Sequence, residues 1–413
     1  MGAPEIVLEG CPGDTGTVTE ADELWADSGA MWLTGRADEE PVVIDAPVAS
    51  HMVAAARRLE DACGVVVDGP ALLGERAAIA GLARRGMTSV GGAASMQRSA
   101  DGWVVLNLAR RDDVEALPAL VQRRIDPQDW LGVRAAIASE SSGELIERGA
   151  ALGLAVAGVA ERTEPALTAW EIVGWSHVSV VPERPLVLDC SALWAGPLCA
   201  DLLARSGCRV IKIEHPRRPD GARNGPADFF DLMNGHKESV ALDLDLATDL
   251  RLFTSLLDVA SVVIEGSRPR FFDRLGIDRA DRVRRGTIWL TVSAHGFEEP
   301  HKNRAGFGDD AASAVGLVAW DGDQPLFAAD AIADPIAGLF GAVAVAELLK
   351  GQRSSQIDLS LAGAAANCTQ PLAGGLTEGQ RSELVARRPR ARRIERRAVE
   401  LSAHTEVIRQ EFL

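Results

Sequence analysis

The chain has 413 residues, which is long enough for two domains with substantial cores. Hydrophobic residues make up 47% and charged residues 25%, as in an ordinary globular protein, and the net charge is −16. This acidic balance argues against nucleic acid or an anionic membrane as the main partner, so a polyanionic ligand would need a local basic pocket.

Cysteines and histidines further narrow the class of protein. Six cysteines are scattered without a C-x-x-C pair, which predicts reduced, mostly buried thiols and a cytoplasmic location. No N-terminal stretch joins a basic flank to an apolar run, so we expect no signal peptide, and no apolar run is long enough to span a bilayer. The seven histidines show no metal-ligand spacing, so we expect no metal.

The first half of the sequence has an irregular pattern. A helix is predicted at 71–83, and the residues at 84–86 are its stop signal. A glycine loop follows at 90–92, then a strand at 103–108 and mostly helical chain over 112–158.

The second half begins after two prolines, Pro182 and Pro185, and alternates between strands and helices. The predicted strands are 186–190, 209–214, 239–244, 260–265, 287–293 and 356–359, and the predicted helices are 196–206, 246–257, 271–275 and 334–350. This alternation predicts an α/β fold with a doubly wound parallel sheet.

The loops that follow parallel strands are the expected place for a ligand, because they open onto one crevice. The residues at 193–196 lie in such a loop, where small side chains and a helix N-terminus favour an anion, although tight packing of the first crossover explains them equally well. Basic residues cluster in or near the later loops: Lys212, Arg217, Arg218, Arg223, Lys237, Arg268 and Arg270.

A weak internal repeat draws attention to Asp334. The segments 325–338 and 41–54 share one frame, and nine residues after the first proline stands Asp334 in one and Ser50 in the other. The repeat predicts an active and a neutralised site. Asp334 before a proline is also a standard helix start, and the two interpretations are compatible because a helix N-terminus keeps a carboxylate ionised. An ionised carboxylate can attack an activated acyl group.

These residues give the second half a resemblance to the family III CoA-transferases. The matching residues span 186–361 and include Ala195-Gly-Pro197, Val210-Ile-Lys-Ile-Glu214, Asn234-Gly-His-Lys237 and Asp334. The resemblance implies a Rossmann-like large domain, a second, smaller α+β domain and usually an interlocked homodimer. It also implies that Asp334 is the acyl-accepting nucleophile.

The first half resembles the later part of the same family, so the halves look permuted. Gly91 and Gly92 lie where members carry a mobile glycine loop over the active site. We therefore predict a degenerate later-half region at 1–180, with the small domain and the glycine loop. A CoA-binding domain with Asp334 follows at 183–380. The last part, 381–413, is a basic linker and C-terminal segment. Region 1–180 is expected to fold back and complete the site around Asp334, within one chain or across a dimer.

The C-terminal part carries a run of seven arginines between 387 and 397. Such a run is usually a solvated linker, and the alternatives are a phosphate contact or an interdomain strap.

The resemblance implies transfer of CoA from an acyl-CoA to a small carboxylic acid, through an aspartyl anhydride and an aspartyl-CoA thioester at Asp334. Coenzyme A would be substrate and product, and no membrane or nucleic acid is involved. The predicted CoA contacts are Leu193, Trp194, Ala195, Gly196, His215, Arg217, Arg218, Arg223, Lys237, Arg268, Arg270, Gly91 and Gly92. His215 stands where the family often has a basic residue.

Two alternatives stay open. One is an acyl-CoA racemase or isomerase, which is disfavoured because Gly306-Phe307-Gly308 has no histidine where that branch has one. The other is a non-catalytic CoA-binding partner subunit, which the altered motif order and Ser50 favour. The histidines at 295 and 301 flank a loop and are predicted to be surface or capping residues.

Overall fold

The computed structural model describes residues 18–162, 168–266, 271–369 and 384–413. The helices are α1 (Val18–Ser28), α2 (Val48–Cys63), α3 (Glu75–Ala80), α4 (Arg111–Glu115), α5 (Leu117–Leu120), α6 (Trp130–Ile137), α7 (Ser142–Leu152), α8 (Ala195–Arg205), α9 (Ala227–Asn234), α10 (Ala247–Val259), α11 (Phe271–Arg274), α12 (Arg279–Arg284), α13 (Gly308–Ala314), α14 (Ala333–Lys350), α15 (Leu361–Asn367) and α16 (Thr405–Phe412). The strands are β1 (Ala94–Arg98), β2 (Trp103–Asn107), β3 (Ala155–Gly158), β4 (Trp170–Val178), β5 (Leu186–Cys190), β6 (Arg209–Glu214), β7 (Glu238–Ala241), β8 (Val262–Glu265), β9 (Ile288–Ser293), β10 (Val318–Asp321), β11 (Gln324–Phe327) and β12 (Arg353–Ser360).

The main sheet has seven strands in the order β4-β12-β9-β8-β5-β6-β7. All neighbours in it are parallel except the edge strand β4, which runs antiparallel to β12. Numbered among themselves, the parallel strands follow the order 3-2-1-4-5-6 of doubly wound nucleotide-binding sheets, with the switch point between β5 and β8. The α/β fold predicted from the sequence is confirmed.

Strand and helix boundaries in the second half agree with the sequence prediction to within three residues. The agreement follows from continuous apolar runs such as Val210 and Ile211 in β6, which are buried because helices cover both faces of the sheet. Helices α9, α12, α13 and α15 and the β10–β11 hairpin were not predicted.

A smaller α+β unit lies within residues 94–158. Its antiparallel sheet has the order β1-β2-β3 and packs through Val104 and Leu106 against Leu120, Ile137 and Leu145 of α5, α6 and α7. The sequence predicted β2 and most of the helices. Strands β1 and β3 were missed because β1 contains no β-branched residue and β3 continues an alanine-rich stretch that favours a helix, whereas β2 is rich in valine.

The rest of the first half shares a core with the main sheet. Met52 and Leu59 of α2 belong to the same buried cluster as Leu198 of α8 and Leu339 of α14. Strand β4 precedes the predicted boundary near 181, yet it completes the edge of the main sheet. The first half therefore folds back on the second within one chain.

Residues 384–413, which we call the C-terminal strap, cross both halves of the molecule. Arg392 donates hydrogen bonds to Glu75 at 2.7 and 3.0 Å and to Asp201 at 2.9 Å, and both carboxylates are fully buried. Further along, the Ala241 N–H of β7 donates to Thr405 at 3.0 Å. This part of the arginine run matches the predicted interdomain strap rather than a solvated linker.

Two further sequence expectations can be compared with the structure. No disulfide joins the five cysteines in the described part of the chain, and burial raises the pKa of Cys199. Across the described residues, no helix combines the length and the apolar character that crossing a bilayer requires.

Candidate active site

Asp334 lies in the first turn of α14, one turn before a close contact with α8. A Cβ atom at Gly338 would stand 2.9 Å from the Ala195 carbonyl oxygen, so the small residue lets the two helices approach. This contact brings the start of α14 next to the loop that follows β5. The predicted nucleophile and the predicted anion-binding loop are thus neighbours.

The Asp334 carboxylate is held by backbone. The Gly308 N–H at the start of α13 donates to Asp334 Oδ2 at 3.1 Å. Any side chain at Gly308 would collide with this carboxylate and with the Ala331 carbonyl. Asp334 itself remains partly exposed.

The surroundings of Asp334 shift its ionisation. Desolvation raises the pKa of Asp334 to about 7, and the charges of Asp310 and Asp330 add to the rise. The Arg76 guanidinium and the Gly308 N–H act in the opposite direction. A carboxyl group with this pKa changes its charge close to neutral pH, so the helix N-terminus alone does not keep Asp334 ionised as the sequence suggested.

Arg76 comes from α3 of the first half and forms a two-pronged ion pair with Asp330. Its Nε and Nη2 donate to the two Asp330 oxygens at 2.9 and 2.5 Å, and Asp330 is fully buried. The guanidinium lies 5.2 Å from the centre of the Trp194 ring. A Cβ atom at Gly91 would stand 3.0 Å from Arg76 Nη2, so the predicted glycine loop also reaches this pair.

Asp330 lies in a strained turn, Ala329–Asp330–Ala331, which we call the acidic turn. Ala329 and Ala331 have φ values of 54° and 44°, in the left-handed region that alanine rarely adopts. The Ala329 N–H donates to Thr34 Oγ1 and the Ala331 N–H to Asp309 Oδ1, both at 2.9 Å. Strain of this kind persists only where surrounding contacts fix the backbone, and it is frequent at functional sites.

Two further carboxylates face the acidic turn and Asp334 from α13. Burial raises the pKa of Asp309 to about 7, Asp330 adds to the rise, and Arg76 opposes it. Asp310 accepts from Asn107 Nδ2 at 3.0 Å and from the Phe307 N–H at 2.9 Å. The pair Asp309 and Asp310 thus connects α13 to both halves of the chain.

The histidines at the two ends of the loop after β9 differ in burial. His295 was predicted to be a surface or capping residue, but it is buried, with Nε2 at 3.3 Å from Asp310 Oδ2. His301 is partly exposed, as predicted.

The loop before α8 shows the tight packing that was one of its two predicted roles, and anion binding there stays a prediction. Gly196 packs directly on Ser191, as expected for a tight crossover. Leu193 has a φ of 69°, and its N–H donates to Asp220 at 2.9 Å. Trp194 is buried, and its Nε1–H has no hydrogen-bond partner among the described residues. The first turn of α8 has no side-chain cap, so backbone donors and one indole N–H remain for a ligand.

Three of the predicted basic residues lie in a buried network of ion pairs near the carboxyl ends of β5 and β6. The pairs are Lys237 with Asp189 at 2.7 Å, Lys212 with Asp220 at 2.9 Å and Arg223 with Glu214 at 2.6 Å. Although burial acts against it, the two ammonium groups lower the pKa of Asp189 to about 2. These cations already neutralise internal carboxylates, and their contact with CoA stays a prediction.

The other predicted contacts lie near the surface. Arg217 is exposed and pairs with Asp243 at 3.0 Å, His215 Nε2 lies 3.6 Å from the same aspartate, and Arg218 is exposed. Gly92 is exposed next to Arg85. Arg268 and Arg270 lie outside the described residues.

Sequence reasoning missed Arg76, Asp330 and the Asp309–Asp310 pair. One signal was present, because two adjacent aspartates in an alanine-rich stretch are unusual for a buried helix. Arg76 had no local signal, since its partner is 254 positions away in the sequence.

Comparison with known proteins gives consistent matches. Residues 185–394 match CoA-transferase family III. A succinyl-CoA–D-citramalate CoA-transferase of Chloroflexus aurantiacus is 31% identical over 192 residues, which are 42% of this chain and 48% of that protein. A formyl-CoA:oxalate CoA-transferase of Escherichia coli is 29% identical over 166 residues, 37% of this chain and 40% of that protein.

Among solved structures, a hypothetical protein of Mycobacterium tuberculosis is 27% identical with a TM-score of 0.42, over 45% of this chain and 56% of that one. The chain spans about half the length of the curated relatives it matches.

Proposed function

Because the chain belongs to CoA-transferase family III, we propose that it moves CoA from an acyl-CoA to a carboxylic acid, with Asp334 as the nucleophile. The observation that carries this proposal is a partly exposed carboxylate in the first turn of α14, beside the loop after β5. Both elements lie within the residues that match the family.

The proposed reaction proceeds by four acyl transfers. An Asp334 oxygen attacks the thioester carbonyl, the C–S bond breaks, and CoA thiolate leaves an aspartyl–acyl anhydride. The thiolate then attacks the aspartyl carbonyl, which releases the donor acid and forms an aspartyl-CoA thioester. The acceptor carboxylate displaces the thiolate from that thioester to give a second anhydride. Attack of the thiolate on the acceptor carbonyl yields the new acyl-CoA and frees Asp334.

Several groups of the chain suit these steps. Arg76 favours the ionised form of Asp334, which is the nucleophilic form. The Gly308 N–H holds one carboxylate oxygen and can stay bonded to it when that oxygen becomes part of the anhydride. Each tetrahedral intermediate needs donors for its oxyanion. The candidates are the uncapped N–H groups of α8, the Trp194 Nε1–H and the backbone at Gly91 and Gly92.

CoA itself brings phosphate groups that need positive charge or helix N-termini. The start of α8 and the exposed Arg217 and Arg218 at the end of β6 fit this need. A phosphate near Arg217 would compete with Asp243, which now holds that side chain. For the acids we propose small carboxylates as donor and acceptor, in line with the names of the matched relatives.

The proposal is tested by trapping the acyl-enzyme. The protein is incubated with a panel of short acyl-CoA esters and hydroxylamine, and its peptides are examined by mass spectrometry. We expect a hydroxamate on Asp334 and no modification in Asp334→Ala, which loses all transfer activity. Ser50→Ala is the matched control, because Ser50 occupies the equivalent place in the internal repeat, and it should behave like the wild type.

Three outcomes would contradict the proposal. A fully active Asp334→Ala would exclude this nucleophile. Uptake of solvent deuterium at the substrate α-carbon without CoA transfer would instead support a racemase or isomerase. Tight CoA binding without turnover across the panel would support a non-catalytic CoA-binding subunit.

A further inference from the structure

We propose that Arg76 is a positioning residue for Asp334: it holds the acidic turn that leads into α14 and fixes a positive charge near the nucleophile. This inference rests on the proposed function, because it assigns a role beside the proposed nucleophile. It also explains why a segment of the first half is needed at a site formed mainly by the second.

The geometry of the Arg76–Asp330 pair suits positioning rather than surface solvation. Both guanidinium–carboxylate hydrogen bonds are made, at 2.9 and 2.5 Å, and Asp330 is fully buried. A two-pronged arginine pair fixes direction as well as distance, which a lysine cannot do. Because Asp330 is four residues before Asp334, fixing its side chain also fixes the entry into α14.

The acidic turn needs such a restraint. Its left-handed residues, Ala329 and Ala331, have a conformation that is unfavourable for alanine unless contacts enforce it. Thr34 holds the N–H on one side of Asp330, Asp309 holds the N–H on the other, and Arg76 holds the side chain between them. Two of these three restraints, Thr34 and Arg76, belong to the first half.

Arg76 is itself held from two directions. Its guanidinium lies over Trp194, the residue that precedes α8. Its neighbour Glu75 is fully buried and bonded to Arg392 of the C-terminal strap, and Arg392 also bonds to Asp201 of α8. Helix α3 is therefore fastened to α8 at two successive residues, so Arg76 is a fixed charge rather than a mobile one.

The charged groups around Asp334 come from three elements. Arg76 approaches from α3, Asp330 from the acidic turn, and Asp309 and Asp310 from α13, where His295 faces Asp310. Arg76 lowers the pKa of Asp334, whereas Asp310 and Asp330 raise it. Removing Arg76 should therefore raise the pKa of Asp334. Removing the charge of Asp330 should lower it, because a repulsive charge is lost and Arg76 becomes unpaired.

These opposite directions define the experiment. The ionisation of Asp334 is measured by carboxyl ¹³C NMR titration of the ¹³C-aspartate-labelled protein, with Asp334 assigned as the resonance missing in Asp334→Asn. We expect Arg76→Gln to move the titration upward by on the order of one pH unit and Asp330→Asn to move it downward. The pH at which hydroxamate formation reaches half its maximum should move in the same two directions.

Arg58 of α2 provides a matched control. Arg58 is also a first-half arginine with a two-pronged pair to a carboxylate of α14, Glu347, at 2.9 and 2.8 Å. It also lies over a tryptophan ring, that of Trp170, and its side chain is 28% exposed, the same as that of Arg76. Arg58→Gln removes a pair of the same geometry, although Glu347 is more exposed than Asp330, and it should leave the Asp334 titration unchanged.

Two more variants keep the test decisive. If Arg76→Gln does not fold, the proposal is tested with Asp330→Asn and Arg76→Lys instead. Arg76→Lys should keep the titration of Asp334 near the wild-type value and lower the rate of hydroxamate trapping. Equal titrations in wild type, Asp330→Asn and Arg76→Gln would overturn the proposal, as would shifts of the same sign. If no hydroxamate forms on wild-type Asp334, the proposed function fails, while the NMR titration still decides the role of Arg76.

Discussion

The first turns of α2 and α14 follow the same sequence frame but have different surroundings. The two helices lie side by side and run in the same direction, since Arg58 contacts Glu347 and Lys350 contacts Asp61, with 289 positions between the partners each time. This offset puts Ser50 level with Leu339, roughly 7 Å along the helix from Asp334. The two members of the repeat therefore do not share one site.

The difference lies in what packs on each first turn. Around Asp334 are a guanidinium, three further carboxylates and the N–H of Gly308. Next to Ser50, burial alone lowers the pKa of His51, as an apolar environment does. A helix start becomes a candidate active site through its charged neighbours. Asp330 lies within the repeated segment, where its counterpart is the uncharged Ala46, and the other charges come from elsewhere in the chain.

Exchanging the two key residues is the strongest test of this comparison. Asp334→Ser gives α14 the residue of α2, and we expect transfer to fall by on the order of 10⁴-fold or more, because the nucleophile is lost. Ser50→Asp should not restore activity in that background, because Arg76 and the acidic turn are absent there. Steady-state transfer rates of the two single variants and the double variant check this. Recovery in the double variant would show that the frame alone suffices.

The second test concerns the strap that connects α3 to α8. Arg392→Ala leaves Glu75 and Asp201 buried, with fewer positive partners, and we expect the free energy of unfolding to fall by about 3–5 kcal/mol. Arg387→Ala in the same run should cost about 0–1 kcal/mol, because its partner Asp27 is exposed to solvent. Urea denaturation measures both, and equal losses would mean that the strap acts only through its total charge.

Local patterns in the sequence predicted the second half well. Strands such as β5 and β6 are continuous apolar runs. Asp334 was singled out by the internal repeat and the family resemblance, and its role stays a prediction. The ion pairs were not predictable in the same way. Basic residues in or near the loops indicated an anion site. However, Asp189 and Glu214 lie in β5 and β6, Asp220 follows β6, and all three pair with these basic residues. Spacing along the chain does not tell which partner a charge will have.

The residues around Asp334 were also not predictable from spacing along the chain. Arg76 and Asp330 are 254 positions apart, and the contact exists only because the first half folds back on the second. His295 was expected at the surface, since nothing in its local sequence indicates that Asp310 would be buried against it. Tertiary packing decides these neighbours, so single-sequence patterns can place an element correctly and still miss the residues that give it a function.

The last test concerns Asp309, a charge that surrounds α14 and has no counterpart at α2. Its pKa is raised to about 7, so the folded state binds this proton more tightly than the unfolded chain. The resulting stability is present at low pH and is lost as the pH rises toward and through 7. Asp309→Asn, whose amide oxygen can still accept from Ala331, should therefore raise the free energy of unfolding at pH 8 by on the order of 2 kcal/mol, and the gain should vanish near pH 4.

Asp101→Asn is the control with the opposite sign, because hydrogen bonds from Ser142 lower the pKa of this exposed aspartate. That variant should lose stability at pH 8 and approach the wild type in acid. Urea unfolding at several pH values separates the two, and a pH-independent effect of Asp309→Asn would show that α13 contributes packing rather than charge to the Asp334 site.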